Sequence, residues 1–205
     1  MELVLATRNR KKIEEILRIT NGLKVKVLTL DDFPECPEVE EDGQTFEENA
    51  VKKAITVANF TGRPALADDS GLEVSALNGA PGTLSARYAG EPADDKKNIE
   101  KLLRVMHFIE KRDVKFVCCI AFAVPGSEVR IFYGYIEGSI GKEPRGSQGF
   151  GYDPVFYPMG SDRTFAEMHD EEKDALSHRG RALTAFSKVL SKRWLPGENH
   201  DKNNC

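Results

Sequence analysis

The stretch Ala67-Asp68-Asp69-Ser70-Gly71 follows an apolar run, Pro64-Ala65-Leu66. Two adjacent carboxylates at the end of a buried strand repel each other and gain nothing from apolar neighbours. A hard divalent cation between them explains the pair, and all-oxygen ligation favours Mg²⁺, with Mn²⁺ as a substitute. One aspartate can then also orient or deprotonate a water for attack on phosphorus. An Asp pair capping a turn into Ser70-Gly71 accounts for the same five residues equally well. The acidic run of residues 38–42, with Glu40 and Glu41, reads on its own as a solvated loop.

Three further groupings carry chemistry. Residues 6–12 read ATRNRKK, a strand-to-helix junction in which Thr7, Arg8, Asn9, Arg10, Lys11 and Lys12 supply hydroxyl, amide and cationic groups. Free N–H groups and the positive dipole end at a helix start suit a phosphate, although no G-x-x-x-x-G-K-[ST] loop is present. Residues 146–154 read GSQGFGYDP. Glycines around an aromatic let backbone approach a flat ligand, Phe150 or Tyr152 can stack on it beside Gly151, and Asp153 can accept from a base edge; a tight loop with a core aromatic is the plainer alternative. In the last grouping Lys173 can reach a phosphate and Arg179 can donate to a base carbonyl, with His178 between Ser177 and Arg179. Ser177 also suits the N-cap of the final helix.

The elements that must position these groups follow from periodicity. Residues 2–6 read as a strand, 11–20 as an amphipathic helix closed by Asn21-Gly22, and 23–30 as a second strand. Thr45-Phe46-Glu47-Glu48 is a capping box that starts a helix to about Asn59, ended by Gly62. A short strand enters Asp68, a second follows over residues 72–77, and Asp94 or Asp95 caps a helix to about Met106. Residues 115–124 and 128–137 are long β-rich runs joined by a Pro125-Gly126-Ser127 turn. After a glycine-rich segment, 138–151, come a strand at 154–157 and helices at 170–176 and 179–194. Early β/α alternation followed by a hairpin predicts an α/β fold with an elongated mixed sheet.

The 205 residues, 40% hydrophobic and 30% charged, fit one domain spanning 1–195, with 196–205 as a flexible tail. The net charge of -4 argues against wrapping a nucleic acid polymer. No run approaches the roughly 20 apolar residues of a membrane span, and the first residues lack a secretory signal, so a cytoplasmic protein is expected. Cys36, Cys118, Cys119 and Cys205 form no C-x-x-C; Cys118 and Cys119 read as small apolar filler on opposite strand faces.

Taken together, the motifs resemble the inosine triphosphate pyrophosphatases. The resemblance rests on ATRNRKK at 6–12, EEDGQTFEENA at 40–50, ADDSGLEV at 67–74, GAPGTLSARYAG at 79–90, GFGYDP at 149–154 and LSHR at 176–179, in the family's order. It implies two lobes around a central cleft, a homodimer, and Mg²⁺-dependent hydrolysis of a small-molecule purine nucleoside triphosphate to monophosphate and pyrophosphate. It also implies that Thr7 to Lys12 bind phosphate and that Asp69 is metal ligand and catalytic base, supported by Asp68. Ser70, Phe150 to Asp153, Lys173, His178 and Arg179 match substrate contacts, and Glu40 or Glu41 is the second metal ligand. Two alternatives stand beside this: a related septum-inhibitor-like nucleotide pyrophosphatase, against which the intact GFGYDP and SHR motifs argue, and a catalytically silent nucleotide-binding protein.

Overall fold

The computed structural model describes residues 1–193. Trp194 and the tail beyond it lie outside the described residues. Six strands form one mixed sheet in the order β2-β1-β3-β4-β5-β6: β1 (Glu2–Leu5), β2 (Lys26–Leu28), β3 (Ala65–Val74), β4 (Asp113–Ala123), β5 (Arg130–Ile140) and β6 (Phe156–Pro158). β1 runs parallel to β2 and β3, and every later pairing is antiparallel. Among the described residues five α-helices flank it: α1 (Arg10–Ile19), α2 (Phe46–Thr61), α3 (Asp95–Val105), α4 (Asp170–Leu176) and α5 (His178–Arg193). Among the described residues no helix is long and apolar enough to cross a membrane.

Local chemistry sets the helix ends. Asn9 Oδ1 accepts from the Lys11 and Lys12 amides at 3.0 and 3.3 Å. Thr45 Oγ1 accepts from the Glu48 amide at 3.1 Å, and Gly62 closes α2 at φ 64°. Asp94 caps α3 through the Lys97 amide, and Ser177 Oγ accepts from the Gly180 amide at the start of α5.

Two strand expectations are corrected. The second strand is only Lys26–Leu28, because the backbone just before it is turned: the Leu23 amide bonds Thr20 O and the Val25 amide bonds Leu23 O. The two short strands expected around Asp68 are one ten-residue strand, β3, paired continuously with β4 from Ala65↔Ala123 to Val74↔Val114. The long β-rich run of β4 supplies the partner that carries β3 through Asp68 to Gly71. Gly71 is required there, since a Cβ would meet Gly82 O and Ser85 Oγ at 2.5 Å.

The core falls into three clusters. On one face Ala65, Ala67, Cys119 and Ala121 pack against α2. On the other, Leu66, Cys118 and Ile120 meet Ile16 of α1 and Leu183 and Phe186 of α5. Farther along that second face Leu72, Val74 and Phe116 pack with α3, Phe156 and Phe165, the body of the second lobe. Asp68 and Ser70 belong to the same face, at the gap between the last two clusters.

Candidate active site

Asp68 and Asp69 occupy the middle of β3, opposite Ile120 and Cys119, rather than a strand end. Strand alternation therefore sends them to opposite faces. The expected shared cation between the two is replaced by two separate arrangements.

Asp68 is neutralised by protein cations. Its Oδ1 lies 2.5 Å from Lys12 Nζ, and Arg179 Nε donates to its Oδ2 at 2.9 Å. Ser70 Oγ and Cys118 Sγ also donate to it, each at 3.0 Å, so Cys118 is more than apolar filler. Burial opposes its ionisation, but Arg179 and Lys12 outweigh burial and hold the carboxyl well below the usual carboxylate range.

Asp69 turns toward α2. Asn49 Nδ2 donates to its Oδ2 at 3.1 Å and Lys53 Nζ to its Oδ1 at 3.2 Å. The same ammonium bonds Glu41 Oε1 and, at 2.8 Å, the Asp68 carbonyl. Burial pushes the Asp69 carboxyl up despite Lys53 and Lys12. Burial acts the same way on Glu41, but there Lys53 prevails and the carboxyl is lowered. Glu41 and Asp69 thus reach one common cation position. Two carboxylates completed by water and substrate phosphate suit Mg²⁺, which rarely uses an all-protein cage. Glu40 is exposed and lines the cleft beside Glu41.

A cleft of about 740 Å³ runs along the start of α1, lined by Thr7, Arg8, Asn9, Lys12, Glu40, Glu41, Lys53 and Arg87. Arg10 and Lys11 are exposed on the first turn of α1 and do not line it. A smaller pocket of about 100 Å³ lies beside it, bounded by Asp69, Ser70, Phe116, Phe150, Lys173, His178 and Arg179. Asn9, Lys12 and Glu41 line both, so the two are continuous.

The smaller pocket is built from rings and buried charge. The His178 ring stacks on Phe116, with centroids 4.6 Å apart and planes at 6°. Burial, reinforced by Arg179, holds its imidazole well below the ordinary value, so it is neutral, and its Nδ1 is buried without a partner. Half-buried Phe150 has Lys173 Nζ 5.1 Å and Arg179 Cζ 5.6 Å from its centroid. Four hydrogen bonds direct Arg179 at Asp68, Glu15 and Ser70. Of the five N–H groups of a guanidinium, one on Nη1 is left without a partner among the described residues.

Three expectations shift. Tyr152 lines the pocket but is held rather than open: it is 3% exposed within the second lobe's core, and its hydroxyl donates to Ser85 O at 2.9 Å. Asp153 binds its own loop before any base edge, since Oδ2 accepts from the Phe150 amide at 2.9 Å and from Lys173 Nζ at 2.6 Å. Gly149, at φ +71°, is fixed by that closure, because a Cβ there would lie 2.1 Å from Asp153 Oδ2. Lys173, expected on a phosphate, is 2% exposed between Asp153 and Glu15 and borders the ring pocket, not the larger cleft. Gly151 is anchored from the other side, its amide donating to Asp95 Oδ2 at 2.8 Å.

Sequence reasoning missed Glu15, Asn49, Lys53 and Arg87. Glu15 is the hub of the buried charge: Lys173 Nζ is 2.5 Å from Oε1, and Arg179 Nη1 bonds Oε2. Burial opposes its charge, yet Arg179 and Lys173 lower its pKa to about 2. Arg87 donates to the Glu41 carbonyl at 2.7 Å, holding the acidic segment against the cleft. The signal for Glu15 and Lys53 was present: each is a charged residue on the apolar face of its helix, beside Ile16 and between Ala50 and Val57.

The whole chain has close relatives. It is 54% identical over 190 residues to a dITP/XTP pyrophosphatase of Geobacter sulfurreducens, covering 92% of this chain and 96% of that one. It is 50% identical over 205 residues to one of Syntrophobacter fumaroxidans, covering 98% and 88%. A solved HAM1 protein from Coxiella burnetii superposes with a TM-score of 0.86 at 44% identity, over 94% of this chain and 99% of the other. The Ham1 family's sequence pattern matches residues 3–189, across all the elements that form the cleft and its ring pocket, and this chain belongs to the Ham1 family.

Proposed function

We propose that this protein hydrolyses non-standard purine nucleoside triphosphates, those of inosine, deoxyinosine and xanthosine, to the nucleoside monophosphate and pyrophosphate. The observation that carries this reading is the continuity of an anion-binding cleft with a ring-lined pocket at the Glu41 and Asp69 carboxylates. A triphosphate laid along Thr7, Arg8, Asn9 and Lys12 puts its base against Phe150 and His178 and its α-phosphorus near Asp69. Mg²⁺, with Mn²⁺ as a substitute, is the cofactor assigned to Asp69 and Glu41, and when bound it supplies charge neutralisation at the phosphates and acidifies water. Asp69 takes the proton of the attacking water, helped by the upward push of burial on its carboxyl. Lys12 stabilises charge that develops on the phosphate oxygens. Asp68 holds Lys12 and Arg179 in place and leaves the proton transfer to its neighbour.

Base selection follows from donors at the closed end of the pocket. Inosine and xanthine carry a 6-keto acceptor where adenine has an amine, so the remaining Arg179 N–H favours them and leaves adenine facing donor with donor. Guanine shares the 6-keto oxygen, and its rejection falls to the pocket wall near the 2-amino group, which must still accept the 2-keto oxygen of xanthine. The expected result is kcat/KM for the inosine, deoxyinosine and xanthosine triphosphates above that for adenosine and guanosine triphosphates by on the order of 10² or more. Comparable values for all five would remove the selectivity from this reading. The working assembly is a cytoplasmic homodimer, for which the groove holding exposed Leu84, Tyr133 and Tyr135 offers apolar surface; sedimentation tests it.

A further inference from the structure

We infer that Lys53 is a positioning residue whose ammonium holds the Glu41 and Asp69 carboxylates together in the metal-free protein and gives way when a divalent cation arrives. The inference rests on the metal-dependent reading of the site. Lys53 is 7% exposed and its Nζ has three oxygen neighbours from three residues: Asp69 Oδ1 at 3.2 Å, the Asp68 carbonyl at 2.8 Å and Glu41 Oε1. An all-oxygen set with two carboxylates around one point is the donor set of a hard divalent cation. A cation of charge one stands where one of charge two is expected.

Without Lys53 the two carboxylates would face each other in a buried place with no cation between them, and like charges so placed drive each other apart or take up a proton. The lysine therefore keeps the pair aimed at a common point, at the cost of competing for it. Its stem ends in the wall of the 740 Å³ cleft that also holds Thr7, Arg8, Asn9 and Lys12. A displaced ammonium thus has polar, open space to enter, on the side where a triphosphate would lie. The four-carbon stem of lysine permits this swing, whereas a planar guanidinium is less free to make it.

Titration with Mn²⁺ alone, without nucleotide, separates this role from an ordinary buried ion pair. If the ammonium fills the position most of the time, it lowers apparent Mn²⁺ affinity by the fraction left free, so Lys53→Met should bind Mn²⁺ about 10-fold more tightly than wild type. The metal-free melting temperature of Lys53→Met should drop, and saturating Mn²⁺ should raise it by more than it raises wild type. Lys53→Arg, which keeps a cation, should hold the metal-free melting temperature near wild type and bind Mn²⁺ no more tightly than wild type. A Lys53→Met chain that is unfolded without metal and folds on adding Mn²⁺ supports the inference; one that stays unfolded in saturating Mn²⁺ counts against it. Equal Mn²⁺ affinity in wild type and Lys53→Met overturns the inference while leaving the metal site itself intact. Absence of Mn²⁺ binding in both would instead remove the metal reading on which the inference stands.

Discussion

Asp69→Asn is expected to lower turnover by roughly 10²-fold or more with the fold intact, the scale of losing a general base. The side chain is 5% exposed, and asparagine reproduces its shape, keeping an acceptor for Lys53 Nζ while turning its NH₂ toward the Asn49 Nδ2 donor. Burial raises the Asp69 carboxyl, which means that holding it ionised opposes folding in the metal-free protein. Replacing it with a neutral group relieves that cost and offsets the lost Asn49 bond, so the melting temperature should stay near wild type. Activity and stability separate in this account, and kcat with Mg²⁺ and a thermal melt on one preparation measure both. Near-normal turnover would reduce Asp69 to a structural acceptor for Asn49 and Lys53.

Arg179→Ala is expected to have two separable consequences. The guanidinium is 2% exposed and sits between Asp68 and Glu15, so its removal leaves two buried carboxylates short of their principal cation. Breaking a buried pair from one side costs about 3 to 5 kcal/mol, and the melting temperature should fall accordingly. At a temperature well below that midpoint, the ratio of kcat/KM for inosine over adenosine triphosphate should shrink by on the order of 10- to 100-fold, the value of a charge-assisted hydrogen bond to the 6-keto oxygen. A guanidinium that only anchored Asp68 would lower both substrates by a similar factor. An unchanged ratio would remove Arg179 from base reading, and an unchanged melting temperature would remove it from the anchoring network.

What was legible in the sequence is what short-range chemistry decides. Thr45 with Glu48 and Gly62 mark the two ends of α2, Asn9 marks the start of α1, and Pro125-Gly126-Ser127 marks the turn between β4 and β5 because each of those signals is made by neighbours in the chain. Most of the side chains named by the motif resemblance line the cleft or the ring pocket, whereas Arg10 and Lys11 line neither. The division of Asp68 from Asp69 was not legible, since it depends on β3 continuing past them, and that continuation comes from β4, some fifty residues away in sequence. The anchoring of Arg179 was not legible either, because its anions, Asp68 and Glu15, lie in β3 and α1, distant in sequence. Tyr152 and Phe150 look interchangeable in GFGYDP. Only the packing of the second lobe, which buries Tyr152 against Ser85 and leaves Phe150 half-open, tells them apart.

Glu15 and Lys53 teach a more general point. A charged side chain on the buried face of an amphipathic helix costs several kcal/mol unless paired, so its presence announces partners of opposite sign elsewhere in the fold. Lys12 and Glu15 share one face of α1 three residues apart, and that helix links the phosphate-side loop to the Lys173 and Arg179 pocket through a single carboxylate. In the proposed reading, phosphate bound at one end and base at the other would be joined by a rigid element.

The most direct test of the central claim is the identity of the products released from inosine triphosphate by the wild-type protein, with and without Mg²⁺. Chromatography of the nucleotide together with separate assays for pyrophosphate and orthophosphate follows the bond that breaks. The arrangement of Asp69 and Glu41 at the junction of the cleft and the ring pocket predicts inosine monophosphate and pyrophosphate in equal amounts, and a reaction that stops when the metal is removed and resumes when it is restored. Inosine diphosphate with orthophosphate, or a rate indifferent to the metal, would contradict it.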